Sequence, residues 1–124
     1  MLEIDKYSRV PIYEQVISGI EEMVLTGVLK EESLTPSVRQ LSQELSVNPN
    51  TLQKAYMELE RRGICFTVPG SGRYIAKGAR EIISGQKRKL LDSVRKLCSD
   101  LKQSGITKEE VTEVVNEVYG GDNK

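Results

Sequence analysis

Ser37–Ala76, SVRQLSQELSVNPNTLQKAYMELERRGICFTVPGSGRYIA, reads as two helices joined by a tight turn and followed by a two-stranded hairpin with a glycine-rich tip. Ser37 stands three residues before Gln40, the spacing at which a cap hydroxyl and an amide side chain satisfy each other's orphan backbone groups. The helix so opened carries Val38, Leu41 and Leu45 to one side and Arg39, Gln40, Gln43 and Glu44 to the other. Ser46-Val47 reads as a tight turn. Asn48 and Pro49 then announce a second helix, with an Asn cap and a proline at the first position, where its missing N–H costs no bond. Leu52, Ala55, Tyr56 and Leu59 form its inward stripe, and Asn50, Thr51, Gln53, Lys54, Met57, Glu58 and Arg61 face away. Gly63 ends it, preceded by Arg61 and Arg62, where the helix dipole favours cations. Ile64–Val68 is β-branched and aromatic, Pro69-Gly70-Ser71-Gly72 turns the chain, and Arg73–Ala76 returns it. Two strands alone are marginal in water, so the hairpin is expected to lean on the helices.

Upstream, residues 1–9 read as an extended arm. Pro11 opens an amphipathic helix with Ile12, Val16, Ile17, Ile20, Met23, Val24 and Leu25 on one face and Glu14, Gln15, Glu21 and Glu22 on the other, ending near Gly27. Residues 28–36 are a polar connector whose Pro36 keeps Thr35 extended. Downstream of Gly78, Ile83, Leu90, Val94, Leu97 and Leu101 fall on a seven-residue repeat, broadened by Leu91 and Cys98, in one helix over about 79–103. Ser104-Gly105 breaks it. Thr107 and Glu110 form a second capping box before a short helix with Val111, Val114, Val115 and Val118 on one face, and the tail 120–124 reads as frayed. The expected fold is mainly α with a small β-hairpin: a winged helix-turn-helix over residues 1–78, followed by a C-terminal two-helix dimerisation module over 79–124.

A chain of 124 residues holds one compact core and a small appendage. It has no histidine, and Cys65 and Cys98 lack CxxC spacing. That removes His-based zinc ligation, His general-base catalysis and Ser-His or Cys-His nucleophile pairs, and no cofactor site or catalytic set stands out. Both cysteines read as small buried apolar residues of a reduced compartment. No apolar run approaches a membrane span and the N-terminus has no secretory profile, which points to the cytoplasm. The net charge of zero conceals a segregation. Residues 38–89 carry ten basic against four acidic groups, a net +6, whereas residues 1–37 carry −4 and residues 90–124 carry −2. Focused positive charge on a neutral chain suits one face for an anionic partner.

The order of three helices and a glycine-tipped hairpin supplies the chemistry. A recognition helix enters the major groove of DNA by its N-terminal end, so its first outward residues should be hydrogen-bonders. Asn50, Thr51, Gln53 and Lys54 fit that: Asn and Gln can pair with adenine edges, and Lys can reach guanine or phosphate. Arg39 is placed for backbone or base. Ser37 and the N–H groups beside it can hold a phosphate, although Ser37 and Asn48 are helix caps first. The Gly70-Ser71-Gly72 tip permits close backbone approach, and Arg73 beside it fits a minor-groove or phosphate contact. Tyr56 reads as core in preference to base-stacker, and the Lys87-Arg88-Lys89 run as a solvated face.

The chain resembles the short, YtrA-type members of the GntR family of transcriptional regulators. The segments that carry the resemblance are PIYEQV at 11–16, PSVRQLS at 36–42, VNPNTLQKAYMELERRG at 47–63 and GSGRYIA at 70–76. The resemblance implies a winged helix-turn-helix with a C-terminal module, in a dimeric repressor released by a small-molecule effector and controlling an operon, with transporter genes suggested. It places DNA contacts at Arg39, Asn48, Asn50, Thr51, Gln53 and Gly72. Two departures lie in the connector, where Glu31-Glu32 stands in place of a Pro-Gly turn and Thr35 in place of a leucine before Pro36-Ser37. The seam of Ile83, Leu90, Val94, Leu97 and Leu101 is too apolar for so short a module to bury alone. It is therefore expected to pack on its symmetry mate and set two half-sites of an inverted repeat in double-stranded DNA. The competing reading is a winged-helix module whose hairpin face binds protein.

Overall fold

The structure, a computed structural model, describes residues 2–120. Of the tail 120–124, read from sequence as frayed, residues 121–124 lie outside the described residues, and Gly120 is the left-handed cap that ends α6. In chain order the elements are α1 Ile12–Leu25, α2 Val38–Leu45, α3 Pro49–Arg61, β1 Cys65–Val68, β2 Gly72–Ile75, α4 Ala79–Arg88, α5 Leu90–Gln103 and α6 Lys108–Tyr119. They form two compact units that divide after Gly85. No helix among the described residues is long and apolar enough to cross a membrane.

The helix starts follow from local chemistry. Ser37 Oγ accepts from the Gln40 amide at 3.0 Å, and Gln40 Oε1 accepts from the Ser37 amide at 3.3 Å. Asn48 Oδ1 accepts from the Asn50 amide at 2.7 Å, with Pro49 at the first helical position. Thr107 and Glu110 make the same reciprocal pair at the start of α6. In α3 the buried residues are Leu52, Ala55, Tyr56 and Leu59, the stripe read from periodicity.

The core of the first unit gathers Val16, Ile17, Ile20 and Val24 of α1, Leu41 of α2, the α3 stripe, and Ile64, Cys65 and Ile75 of the hairpin. Ala79 and Ile83 of α4 complete it, both fully buried. Ile83 is thereby removed from the proposed dimer seam. Its side chain fills the head, and the compact unit reaches Gly85 for that reason. The helix expected over 79–103 is also two helices, interrupted at Lys89. That residue keeps helix-like dihedrals (φ −63°, ψ −21°), and neither a proline nor a capping side chain marks the break.

Three further expectations are corrected. Residues 2–10 are not a simple extended arm: Leu2 lies so close on Gly19 that a Cβ there would stand 1.8 Å from Leu2 Cδ1, and Ile4 also packs on the core. Glu21, read as outward, is buried and paired with Arg62 Nη1 at 3.1 Å, which ties α1 to the end of α3. The polar connector joins the hairpin. β1 and β2 pair antiparallel with Cys65 opposite Ile75 and Thr67 opposite Arg73. Leu34 then bridges Tyr74, with Thr35 N donating to Arg73 O and Ile75 N donating to Ser33 O, both at 2.9 Å. The two-stranded sheet so gains a third backbone along β2, which answers how so small a hairpin holds its shape.

The second unit is built differently. Neither α5 nor α6 buries a residue, and Leu90, Leu91, Val94, Leu97, Leu101, Val114, Val115 and Val118 are exposed. Cys98 is exposed as well, against the expectation of burial, whereas Cys65 is buried and burial pushes its thiol up to about 12.

Candidate nucleic-acid interface

Arg39 projects from the first turn of α2, exposed and without a partner among the described residues. Asn50 and Gln53 project from the first turns of α3, likewise exposed, and Thr51 between them is half-buried. These positions are dictated by the stripe. When residues 52, 55, 56 and 59 face the core, residues 50, 53 and 54 must face away. Hydrogen-bonding groups held outward with no partner among the described residues are available to an external one. Asn48 offers less, because its side-chain oxygen is already occupied by the helix cap. Ser37 is in the same position, with its hydroxyl taken by Gln40.

A cleft of about 290 Å³ lies between the start of α2 and the hairpin, lined by Pro36, Ser37, Val38, Thr67, Gly72 and Arg73 among others. The fold thus brings Ser37, Gly72 and Arg73 together, as the reading of a helix start beside a wing requires. It does not leave them all free. Arg73, expected to reach DNA, turns inward: its side chain is 18% exposed and Nε pairs with Glu60 Oε2 at 2.6 Å. Its guanidinium carbon also lies 4.8 Å from the centre of the Tyr56 ring. The cause is strand parity. Arg73 and Thr67 face each other on the same side of the hairpin as buried Cys65 and Ile75, so both point at α3. Gly72 has a structural reason of its own, since at φ +138° a Cβ would meet Leu34 Cδ1 at 2.9 Å. Lys54 is exposed, with its ammonium 3.9 Å over the Tyr13 ring, so it is anchored to α1 unless a phosphate draws it away.

Glu60 is the residue the sequence reading missed. One carboxylate oxygen accepts from Thr67 Oγ1 on β1 and from Arg73 Nε on β2, gripping both strands from the end of the recognition helix. Burial pushes the Glu60 carboxyl up, but the Arg73 and Thr67 hydrogen bonds outweigh it and hold the group below its ordinary value. The signal was present in the register, because Thr67 and Arg73 pair on the core side and need a polar partner there. Glu31 was missed too. Its carboxylate accepts from the Gly78 and Arg80 amides at 3.0 and 3.1 Å, and those backbone bonds lower its pKa. Where the resemblance leads one to expect a Pro-Gly turn, this chain therefore has a cap for α4.

Glu58 accepts from Arg61 and Arg62, and those two hydrogen bonds lower its carboxyl to about 2. Glu31, Glu58 and Glu60 all have folded pKa values below the ordinary carboxylate value, so their stabilisation is present above the unfolded pKa and lost as pH falls through the folded one. The thermal midpoint is expected to hold from pH 7 to about 5 and to decline steadily toward about 2. Glu58→Gln should make that acid limb shallower. A midpoint that rises on acidification would contradict the assignment.

Comparison with known proteins places this geometry. The model of the gntR family of bacterial regulatory proteins matches residues 12–75, from the first residue of α1 through the wing. The chain is 38% identical to the HTH-type transcriptional repressor YtrA of Bacillus subtilis (strain 168) over 119 residues, covering 95% of this chain and 92% of that protein. Among solved structures it is similar to a GntR family transcriptional regulator from Listeria monocytogenes, with a TM-score of 0.72, 34% identity, and 92% and 98% of the two chains covered. It is also similar to the DNA-binding domain of AraR in complex with operator ORX1, with a TM-score of 0.56 and 26% identity over 60% of this chain and 96% of that one. The relatives are transcription regulators and not enzymes, and the fold is the winged helix expected from the sequence. The chain belongs to the GntR family of bacterial regulatory proteins.

Proposed function

We propose that this protein is a dimeric, sequence-specific DNA-binding repressor acting in the cytoplasm on an inverted-repeat operator in double-stranded DNA. The observation that carries the reading is the row of exposed hydrogen-bonders Arg39, Asn50 and Gln53, their side chains without a partner among the described residues, at the starts of two adjoining helices. Phosphate contacts supply affinity from the basic stretch 38–89, and base contacts from α3 supply sequence preference. Residues 86–124 act as the dimerisation module. What supports this is an apolar surface on α5 and α6, Leu90, Val94, Leu97 and Leu101 included, that is left exposed among the described residues. A second copy covering it gives a two-fold pair whose recognition helices face half-sites about 34–36 Å apart. Release by a small-molecule effector and control of an operon that includes transporter genes belong to the same reading, on the strength of resemblance.

The test begins with a duplex selected by the wild-type chain from a random-sequence pool. Its binding should weaken steeply with added salt as phosphate counterions return. Arg39→Ala and Gln53→Ala should each cost about 1–3 kcal/mol of affinity for the selected duplex if they read base edges, with thermal stability unchanged because both side chains are exposed. Mutants that bind that duplex as tightly as wild type would sink the assigned roles.

A further inference from the structure

We propose that the N-terminal turn Lys6–Arg9 is a DNA-backbone contact beside the recognition helix, with the Arg9 guanidinium and the Tyr7 hydroxyl donating to phosphate oxygens. The proposal rests on the DNA-binding reading above and adds an element outside both the helix-turn-helix and the wing. Three observations carry it. First, the turn is built. The Asp5 amide donates to Gln15 Oε1 at 2.8 Å, and Gln15 Nε2 donates to the carbonyls of Asp5 and Val10, both at 2.9 Å. Asp5 Oδ1 accepts from the Tyr7 amide at 3.0 Å and Ser8 Oγ from the Val10 amide at 3.1 Å. Upstream, Leu2 and Ile4 pin the segment to the core.

Second, the turn is tied to the reading helices. Lys6 Nζ donates to the Ser46 carbonyl at 3.1 Å, in the turn that joins α2 to α3. On the same side of the head, the Lys54 ammonium of α3 lies over the ring of Tyr13, in the first turn of α1. The segment before α1 therefore runs beside the N-terminal half of α3, the half that presents Asn50 and Gln53. Third, the outward groups do nothing for the fold. Tyr7 is 99% exposed, and Arg9 is exposed with no partner among the described residues. Ordering a turn costs conformational entropy, and this one holds an aromatic hydroxyl and a guanidinium in water with no internal return. Both groups suit a phosphate, a contact that positions a protein on the duplex without reading its sequence. The Asp5 carboxylate nearby is already engaged by the Tyr7 amide, which limits its repulsion of the duplex.

Full-length variants are titrated against the selected duplex and a scrambled duplex of equal length over a range of salt. Arg9→Ala should weaken binding to both by about 3- to 8-fold near 0.1 M salt and lower the slope of log affinity against log salt by about one, the signature of one lost phosphate contact. Tyr7→Phe should weaken both by about 2- to 5-fold with the slope unchanged, because a neutral hydrogen bond is lost. Lys30→Ala removes the same unit charge from the connector, at an exposed position outside both the basic stretch and residues 86–124, and should change neither quantity. Unaltered affinity and slope in Arg9→Ala, alongside a loss in Gln53→Ala, would overturn the arm contact and leave the helix reading standing. An effect confined to the selected duplex, or an equal effect of Lys30→Ala, would also overturn it. A wild-type chain that binds neither duplex fails the DNA-binding reading, and the arm contact with it.

Discussion

Tyr56→Ala is expected to destabilise the head by about 3–5 kcal/mol, read as a shift of the urea unfolding midpoint. Tyr56 is the largest fully buried side chain of the described residues, and it touches three parts of the head at once. The ring belongs to the α3 stripe and supports the Arg73 guanidinium of the wing. Its hydroxyl donates to the Pro36 carbonyl just ahead of α2. Burial drives that phenol up to about 12, so it remains a donor throughout the working pH range. Removing the ring opens a cavity and withdraws the surface on which Arg73 rests. Tyr56→Phe isolates the hydroxyl and should cost about 1–3 kcal/mol, the penalty for leaving the Pro36 carbonyl unsatisfied. A Tyr56→Ala variant as stable as wild type would contradict its role as the centre of the core.

Removal of residues 86–124 is expected to leave a folded monomer that has lost about 10²- to 10⁴-fold in affinity for the selected duplex, because the second head no longer binds at high effective concentration. The cut belongs after Gly85 and not after Lys77, since the earlier cut would strip Ala79 and Ile83 from the core of the head. It would also discard the Gly78 and Arg80 amides that Glu31 holds. Sedimentation of the two chains separates the outcomes. A truncated head that remains a tight dimer would show that the apolar faces of α5 and α6 serve something else.

Sequence alone carried three of the helix starts because their signals are local. Ser37 with Gln40, Asn48 with Pro49 and Thr107 with Glu110 each settle a helix start within four residues, and the α3 stripe follows from a period of 3.6. What it could not carry were choices made by distant partners. Ile83 fits a heptad equally well whether it faces a second copy or the core, and only the packing of α4 onto the head decides for the core. Glu21 sits among polar neighbours in α1, yet Arg62, forty-one residues away, draws it inside. Arg73 looks free beside a glycine tip until the register with Thr67 turns it toward Glu60. Connector residues 33–35 carry no strand signal, and their pairing with β2 depends on where the hairpin lies. At the candidate interface the pattern is the same. Arg39, Asn50 and Gln53 were legible by exclusion from the core stripe, whereas the turn at Lys6–Arg9 emerges only once Lys6 is seen against Ser46.

If two copies of this head, joined through residues 86–124, read one duplex by their recognition helices, hydroxyl-radical footprinting of the full chain on the selected duplex should show two protected patches on one face, their centres about 10–10.5 base pairs apart and related by two-fold symmetry. A single patch, or protection without symmetry, would rule out that arrangement.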